Sequence, residues 1–150
     1  MKTEVKRNRE RGNSIIEFAI SLPFLVAVVA GVFQFGYTFF IYNSLRNSVH
    51  AGGRFASVAD FAVGGSSFEN QVKNVVVYGT PVPDVDSHPL VPGLTTGQVS
   101  VSANSADAVG IPRTITVSIS GYEVPSVWRP MRLEGKPQAT FPYMGQFIGD

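Results

Sequence analysis

The longest apolar run in the chain, Phe18–Tyr42, extends for 25 residues without a charge, and its clearly polar members are Ser21, Gln34 and Thr38. A helix needs about 20 apolar residues to cross the roughly 30 Å hydrocarbon core of a bilayer, so this run predicts a membrane-spanning helix. It exceeds the roughly 7–15-residue apolar core of an ordinary signal peptide, although Ala27-Val28-Val29-Ala30 offers small residues of the kind a signal peptidase uses. Beyond Tyr42 the pattern changes rather than stops. Leu45, Val49, Gly52, Phe55 or Ala56, and Ala59 recur at a spacing of about 3.6, with Asn43, Arg46, Asn47 and Arg54 on the remaining surface. The helix predicted from Ser14 to Ala59 would be roughly 70 Å long. That is more than a bilayer requires, so its outer part must pack on something. Gly52-Gly53 marks either a close crossing of two backbones or an early end.

Further along, Val63-Gly64-Gly65-Ser66-Ser67 reads as a turn, and Ser66 with Glu69 has capping-box spacing. Val72, Val75, Val76 and Tyr78 follow, and the β-branched run Val75–Val77 predicts strand character after a short helix. Gly79–Gly97, with Pro81, Pro83, Pro89 and Pro92, is a long loop. Val99–Val101 and Ile115–Ile119 alternate apolar and polar residues, which predicts strands with one apolar face. Ala103–Gly110 reads as their connection and Glu123–Pro137 as loop. The tail, with Phe141, Tyr143, Met144, Phe147 and Ile148, is apolar enough to dock on the domain or a partner. A hairpin laid on the outer half of the long helix would bury both apolar surfaces. The expected class is therefore α+β: a long, extended N-terminal transmembrane helix packed against a small antiparallel sheet domain. The expected divisions are a basic leader over 1–12, the membrane helix over 13–42, its extension over 43–62 and a small α+β domain over 63–150.

Charge gives this layout a direction. The overall formal charge is +1. Residues 1–12 hold five basic and two acidic residues, a net +3, whereas the remainder holds seven basic and nine acidic residues, a net −2. A basic flank beside a hydrophobic segment marks the cytoplasmic side. The leader is therefore placed inside the cell, and Asn43–Asp150 outside it. Five basic residues in a short tail are a weak signal for nucleic acid. The chain has no cysteine, which removes disulfides, thiolate-held zinc and thiol nucleophiles. Its two histidines, His50 and His88, belong to no recognisable catalytic pattern. There is no Gly-x-Ser-x-Gly elbow and no phosphate loop, so no enzyme activity or cofactor is expected. Asp84, Asp86 and His88 share one Pro-rich loop, a thin basis for a metal site. Arg129, Arg132 and Lys136 form a local basic cluster near Trp128, read as solvated surface unless Trp128 is exposed.

The boundary before the apolar run carries its own chemistry. Gly12 interrupts the charged leader, and Asn13 and Ser14 are good helix caps. Ser14 with Glu17 has capping-box spacing, which is one reading of Glu17. The other starts from its position: an acid at the edge of a membrane span is costly without a partner. An α-amine exposed by cutting after Gly12, on this chain or on a neighbour, would supply one. Pro23 lacks the N–H that would bond Ala19, so a bend is expected there. Ala27 and Gly31 are a small pair four residues apart, of the kind that lets membrane helices approach closely. Phe35, Phe39 and Tyr42, with Phe33, Tyr37 and Phe40 on another side, read either as an interfacial aromatic belt or as packing surface for a partner helix.

Gly12-Asn13-Ser14-Ile15-Ile16-Glu17-Phe18 resembles the processing motif of type IV prepilin-like proteins, in which a basic leader ends in Gly and Glu is the fifth residue of the mature chain. More narrowly, Arg11–Leu25 resembles the start of TadE-like proteins, pseudopilins of the tight-adherence (Flp pilus) system. Their pattern continues with a mid-helix Gly, aromatic residues, then small residues and an Arg. Gly31, Phe33-Gln34-Phe35-Gly36-Tyr37 and Ala51-Gly52-Gly53-Arg54-Phe55-Ala56 answer to it here. The resemblance covers residues 11–59. It implies processing at Gly12 and Asn13, and assembly contacts through Glu17, Phe18, Ala27 and Gly31. The implied partners are other pseudopilins or pilins, a prepilin peptidase, the inner-membrane assembly platform and the lipid bilayer. Many relatives end in a short Arg-x-Glu-like tail, whereas this chain ends Phe141–Asp150. The expected function is a membrane-anchored pseudopilin or minor pilin-like subunit. The alternative is a signal-anchored envelope domain that binds a partner without being processed.

Overall fold

The computed structural model describes the backbone of residues 4–61, 65–106, 112–126 and 130–145, and the side chains of 14–61, 67–104, 112–126 and 130–145. Helix α1 runs Glu4–Val58, 55 residues, with Pro23 inside it. It starts ahead of Ser14, so the leader is helical from Glu4. Lys, Arg and Glu are good helix formers, and a single interior Gly costs about 1 kcal/mol. Gly12 does not end the helix, which runs on through Asn13 and Ser14 into the apolar segment. The chain divides into two units, Met1–Tyr37 and Thr38–Asp150.

In the first unit the apolar side chains face outward. Phe18, Phe24, Leu25 and Phe33 expose 65%, 75%, 60% and 78% of their surface. The helix is long and apolar enough to cross a membrane, with a mean hydropathy of 2.4 in its most apolar window.

The second unit has a core of its own. Within it α1 buries one stripe: Ile41, Leu45, Ser48, Val49, Gly52 and Ala56. Leu45 and Val49 are fully buried, as the spacing predicted, and two turns beyond Val49 Ala56 takes the core position while Phe55 stays half-buried. Ser48 is the polar member of the stripe, and its hydroxyl donates to the Ser44 carbonyl at 3.1 Å. Helix α2, Gly65–Tyr78, contributes Phe68, Val72, Val75 and Val76. These recur at helical spacing, and burying them together outweighs the β preference of Val75–Val77. The predicted change to strand does not occur. Ser66 falls inside α2 rather than at its cap.

Strands β1 (Val99–Ala106), β2 (Pro112–Ile119) and β5 (Gln138–Pro142) form an antiparallel sheet in the order β1-β2-β5. Val99 pairs with Ile119 and Val101 with Val117, while Val117 also pairs with Ala139. Ile115, Val117 and Ile119 are fully buried and join the helices in one core. Thr116 and Thr140 meet on the opposite face, with their hydroxyls 2.8 Å apart. β1 extends through Ala106, beyond the connection expected to begin at Ala103. Glu123–Pro137 is not wholly loop either. β3 (Tyr122–Val124) and β4 (Met131–Leu133) form a short antiparallel pair. Gly121, at φ 76°, turns the chain from β2 into β3, a left-handed conformation that suits Gly.

The long loop after α2 is anchored rather than loose. Leu90 N–H donates to the Val77 carbonyl at 2.7 Å, Val91 and Leu94 are buried, and the Tyr122 hydroxyl donates to the Pro92 carbonyl at 2.9 Å. The segment after β5 closes the end of α1. The last carbonyls of a helix lack intrahelical partners. Here Met144 N–H donates to the Ser57 carbonyl at 2.9 Å, and the Tyr143 hydroxyl donates to the Ala59 carbonyl at 3.0 Å while accepting from Phe61 N–H at 3.1 Å. The tail therefore docks on its own domain through Phe141 and Tyr143, whereas Met144 is 61% exposed. Trp128, Arg129, Phe147 and Ile148 lie outside the described residues.

Candidate assembly helix

Gly52 and Gly53 show how sequence fixes the second unit. A Cβ on Gly52 would overlap the Val76 side chain and lie 3.5 Å from the Val72 carbonyl oxygen, so its absence lets α2 lie close on α1. A Cβ on Gly53 would overlap the Phe141 ring. The adjacent glycines thus admit two different elements, α2 and β5, and the helix continues through both. The close-crossing expectation is met, and the early end is not. The Phe141 ring also meets His50 edge-on, with centroids 5.8 Å apart.

Gly31 has the opposite surroundings. Nothing lies within 4 Å of where its Cβ would be, and the same holds for Gly36. Ala27 is exposed and lies one helical turn from Gly31, so the pair forms an open notch on α1. Leu25, Val26, Val29, Ala30 and Phe33 line a shallow apolar concavity on the same segment. Sequence reasoning did not single out this second depression. Its signal was Ala30, a small residue one turn from both Val26 and Phe33.

Glu17 is exposed on α1, with Phe18 beside it 65% exposed. Among the described residues no ion pair reaches Glu17. Because α1 begins at Glu4, Ser14 lies inside the helix and is not its N-cap. The capping-box reading of Glu17 therefore fails for the uncut chain. Gly12 and Asn13 lie within the same continuous helix. The aromatic residues of the expected belt are all exposed, from Phe33 at 78% to Tyr42 at 36%.

Among the described residues the remaining polar candidates do not assemble into a chemical centre. Asp84, Asp86 and His88 are exposed, and among the described residues no three metal-ligating side chains converge. Arg132 is exposed and pairs with Glu134 at 2.8 Å. Lys73 pairs with Glu69 at 2.7 Å, one turn away on α2.

Residues 12–54 match the sequence profile of a family described as TadE-like protein. The match begins at the predicted processing glycine, covers the exposed apolar helix, and ends just after Gly52-Gly53. It ties this N-terminal region, with its one membrane-length helix, to a membrane-associated role in a pilus-related system at the level of the family. No curated protein and no solved structure matches the chain.

Proposed function

We propose that the chain is a membrane-anchored pseudopilin or minor pilin-like subunit that takes part in assembling a tight-adherence pilus or a related secretion apparatus. The observation that carries this reading is the coincidence of the family match with a helix whose apolar side chains are exposed all round. Such a helix is stable only in lipid or against other helices. The +3 charge of the leader supports an orientation with the N-terminus on the cytoplasmic side of a bacterial inner membrane and the α+β unit on the other side. A prepilin peptidase cuts between Gly12 and Asn13. Gly12 suits that role because it weakens the helix locally and lets an enzyme approach the backbone.

Cutting changes what Glu17 meets. In the uncut chain the peptide groups around it are bonded within α1. After cutting, Asn13 becomes the N-terminus, and the first four N–H groups lose their partners. Glu17 then lies beside the positive end of the helix and a new α-amine, both of which favour its charge. A neighbouring subunit's amine offers the same attraction, which makes Glu17 an assembly contact. Ala27 and Gly31 supply the notch against which a neighbouring helix packs, and the inner-membrane platform receives the processed subunit.

The test is paired, on one membrane preparation. Glu17→Gln should insert and be cut after Gly12, yet lose crosslinking to partner pseudopilins. Normal crosslinking would remove the assembly role. An N-terminus at Met1 in cells with active peptidase would instead favour an unprocessed, signal-anchored envelope domain. That reading draws on one observation, that the family match ends at residue 54 and leaves α2 and all five strands outside it.

A further inference from the structure

The two edges of the three-stranded sheet are built differently. Ser120 N–H donates to the Gln98 carbonyl at 2.8 Å, and Ile119 N–H donates to the Pro137 carbonyl at 3.2 Å. With the strand registers, these bonds fix which backbone groups face inward. On β1, Ser100, Ser102 and Asn104 bond to β2, and Val101 and Ala103 turn their N–H and C=O groups outward. On β5, Gln138, Thr140 and Pro142 turn outward. Pro142 has no N–H, so that edge lacks a donor at its end. Among the described residues nothing comparable protects β1. Its sequence, Val99-Ser-Val-Ser-Ala-Asn-Ser-Ala106, contains no charge, no Pro and no Gly. Unprotected edges of this kind are ready templates for another strand. Among the described residues, none bonds to the outward groups of Val101 or Ala103. Val101 is only half-buried, and Ala103 is exposed although it shares Val101's side of the sheet.

We propose that this edge pairs with β1 of a second copy of the chain, antiparallel about a two-fold axis at Ser102, joining two three-stranded sheets into one. The composition of β1 favours a copy of itself as the occupant. Two-fold pairing sets similar residues against one another, and a charge near the axis would meet its like. β1 has none. The alternation also matches: Val101 would face Ala103 on one side of the sheet, and Ser100 would face Asn104 on the other. The register follows from which groups are free. Val99 N–H already donates to the Thr96 carbonyl. Pairing Val101 with Ala103 uses the two residues whose groups are both open, and forms roughly four backbone bonds across the axis. Ser102 then faces Ser102 as a non-hydrogen-bonded pair, with Cα atoms about 4.5 Å apart. This pairing stands on the sheet alone and does not depend on processing or on any pilus role.

The absence of cysteine makes the test clean. Ser102→Cys and Gln138→Cys are made separately in the full chain, purified in detergent micelles and mildly oxidised. A disulfide needs Cα atoms about 4.4–6.8 Å apart. Ser102→Cys should form a disulfide dimer severalfold faster than Gln138→Cys on the opposite edge. Equal rates, or no dimer at Ser102, would overturn the proposal. Oxidation of Ser102→Cys in intact membranes that links it to a different protein instead of a second copy would also overturn it. Ser102→Lys and Ser102→Glu provide a second measurement at an exposed position. Each should lose self-association alone, by sedimentation in micelles, and a mixture of the two should recover it as a heterodimer. If each variant still dimerises as the parent chain does, the axis is not at Ser102.

Discussion

Leu25 and Leu45 belong to one continuous helix, yet Leu25 exposes 60% of its surface and Leu45 none. The same contrast separates Phe33, at 78%, from Ile41, at 2%. The first unit carries apolar residues around the whole helix circumference, which no single packed face could cover. The second confines them to a stripe. A helix apolar all round belongs in lipid or in a bundle, and a striped one against a domain core. The apolar-run pattern thus distinguishes two environments within one element. Ile41 lies inside the uncharged run but already belongs to the core, so the change of environment precedes the first charge, Arg46.

The largest effect should come from truncating the buried member of this pair. Leu45→Ala should lower the unfolding free energy of the α+β unit by about 2–5 kcal/mol, the range for a large aliphatic residue in a packed core. Leu25→Ala should leave it within about 0.5 kcal/mol, as for an exposed site. Denaturant unfolding of the full chain in micelles, followed by near-UV circular dichroism, measures both. Equal losses would mean that the first segment is part of the folded core, and the comparison would collapse.

The glycines sharpen the same contrast. Gly53→Ala drives a methyl group into the Phe141 ring, and Gly52→Ala drives one into Val76. Overpacking of this kind typically costs about 1–3 kcal/mol. Gly31→Ala meets open space and should leave the unit's stability unchanged, since Ala is the better helix former. If Gly31 contacts a neighbouring helix, the substitution should instead weaken crosslinking between subunits. Unfolding midpoints and crosslinking yields, measured on the three variants together, separate a packing glycine from an assembly one.

Much of this was legible because periodicity is a local signal. The buried positions of α1 at Leu45 and Val49 follow from helical spacing, and those of β2 at Ile115, Val117 and Ile119 from strict alternation. The misreadings lie where a local preference competed with something longer in range. Val75–Val77 favours a strand by residue type, but its partners on the same face, Phe68 and Val72, lie further back. Strands β3 and β4 have three residues each, too short for alternation to register. Ser14 and Glu17 have the residue types of a cap, but whether a helix begins there depends on the chain before it. The candidate residues Gly12, Asn13, Glu17, Phe18, Ala27 and Gly31 came from the motif and its resemblance, and the family match covers all six. The edge of β1 could not be anticipated, because strand order within a sheet is set by tertiary pairing.

The smallest expected effect concerns how the two segments use tyrosine. Tyr143 and Tyr37 are both partly exposed aromatic residues. The Tyr143 hydroxyl bridges the Ala59 carbonyl and Phe61 N–H just beyond the end of α1. Its ring also stacks edge-on with Phe61, at a centroid distance of 6.2 Å. Tyr143→Phe keeps the ring and removes only the bridge. A net hydrogen bond is worth about 0.5–1.5 kcal/mol, and two groups depend on this hydroxyl. Both are only half-buried, so water can take over part of the bonding and hold the loss near 1 kcal/mol. Amide exchange gives the sharper readout. Phe61 N–H should lose protection in Tyr143→Phe, whereas amides in the middle of β2 should change only by the overall loss of stability. Tyr37→Phe, in the exposed segment, should alter neither the unfolding midpoint nor the Phe61 amide. If Tyr143→Phe leaves Phe61 N–H as protected as in the parent chain, the tail does not close α1 through this hydroxyl, and the hydrogen bonding at that end rests on the Met144–Ser57 backbone bond.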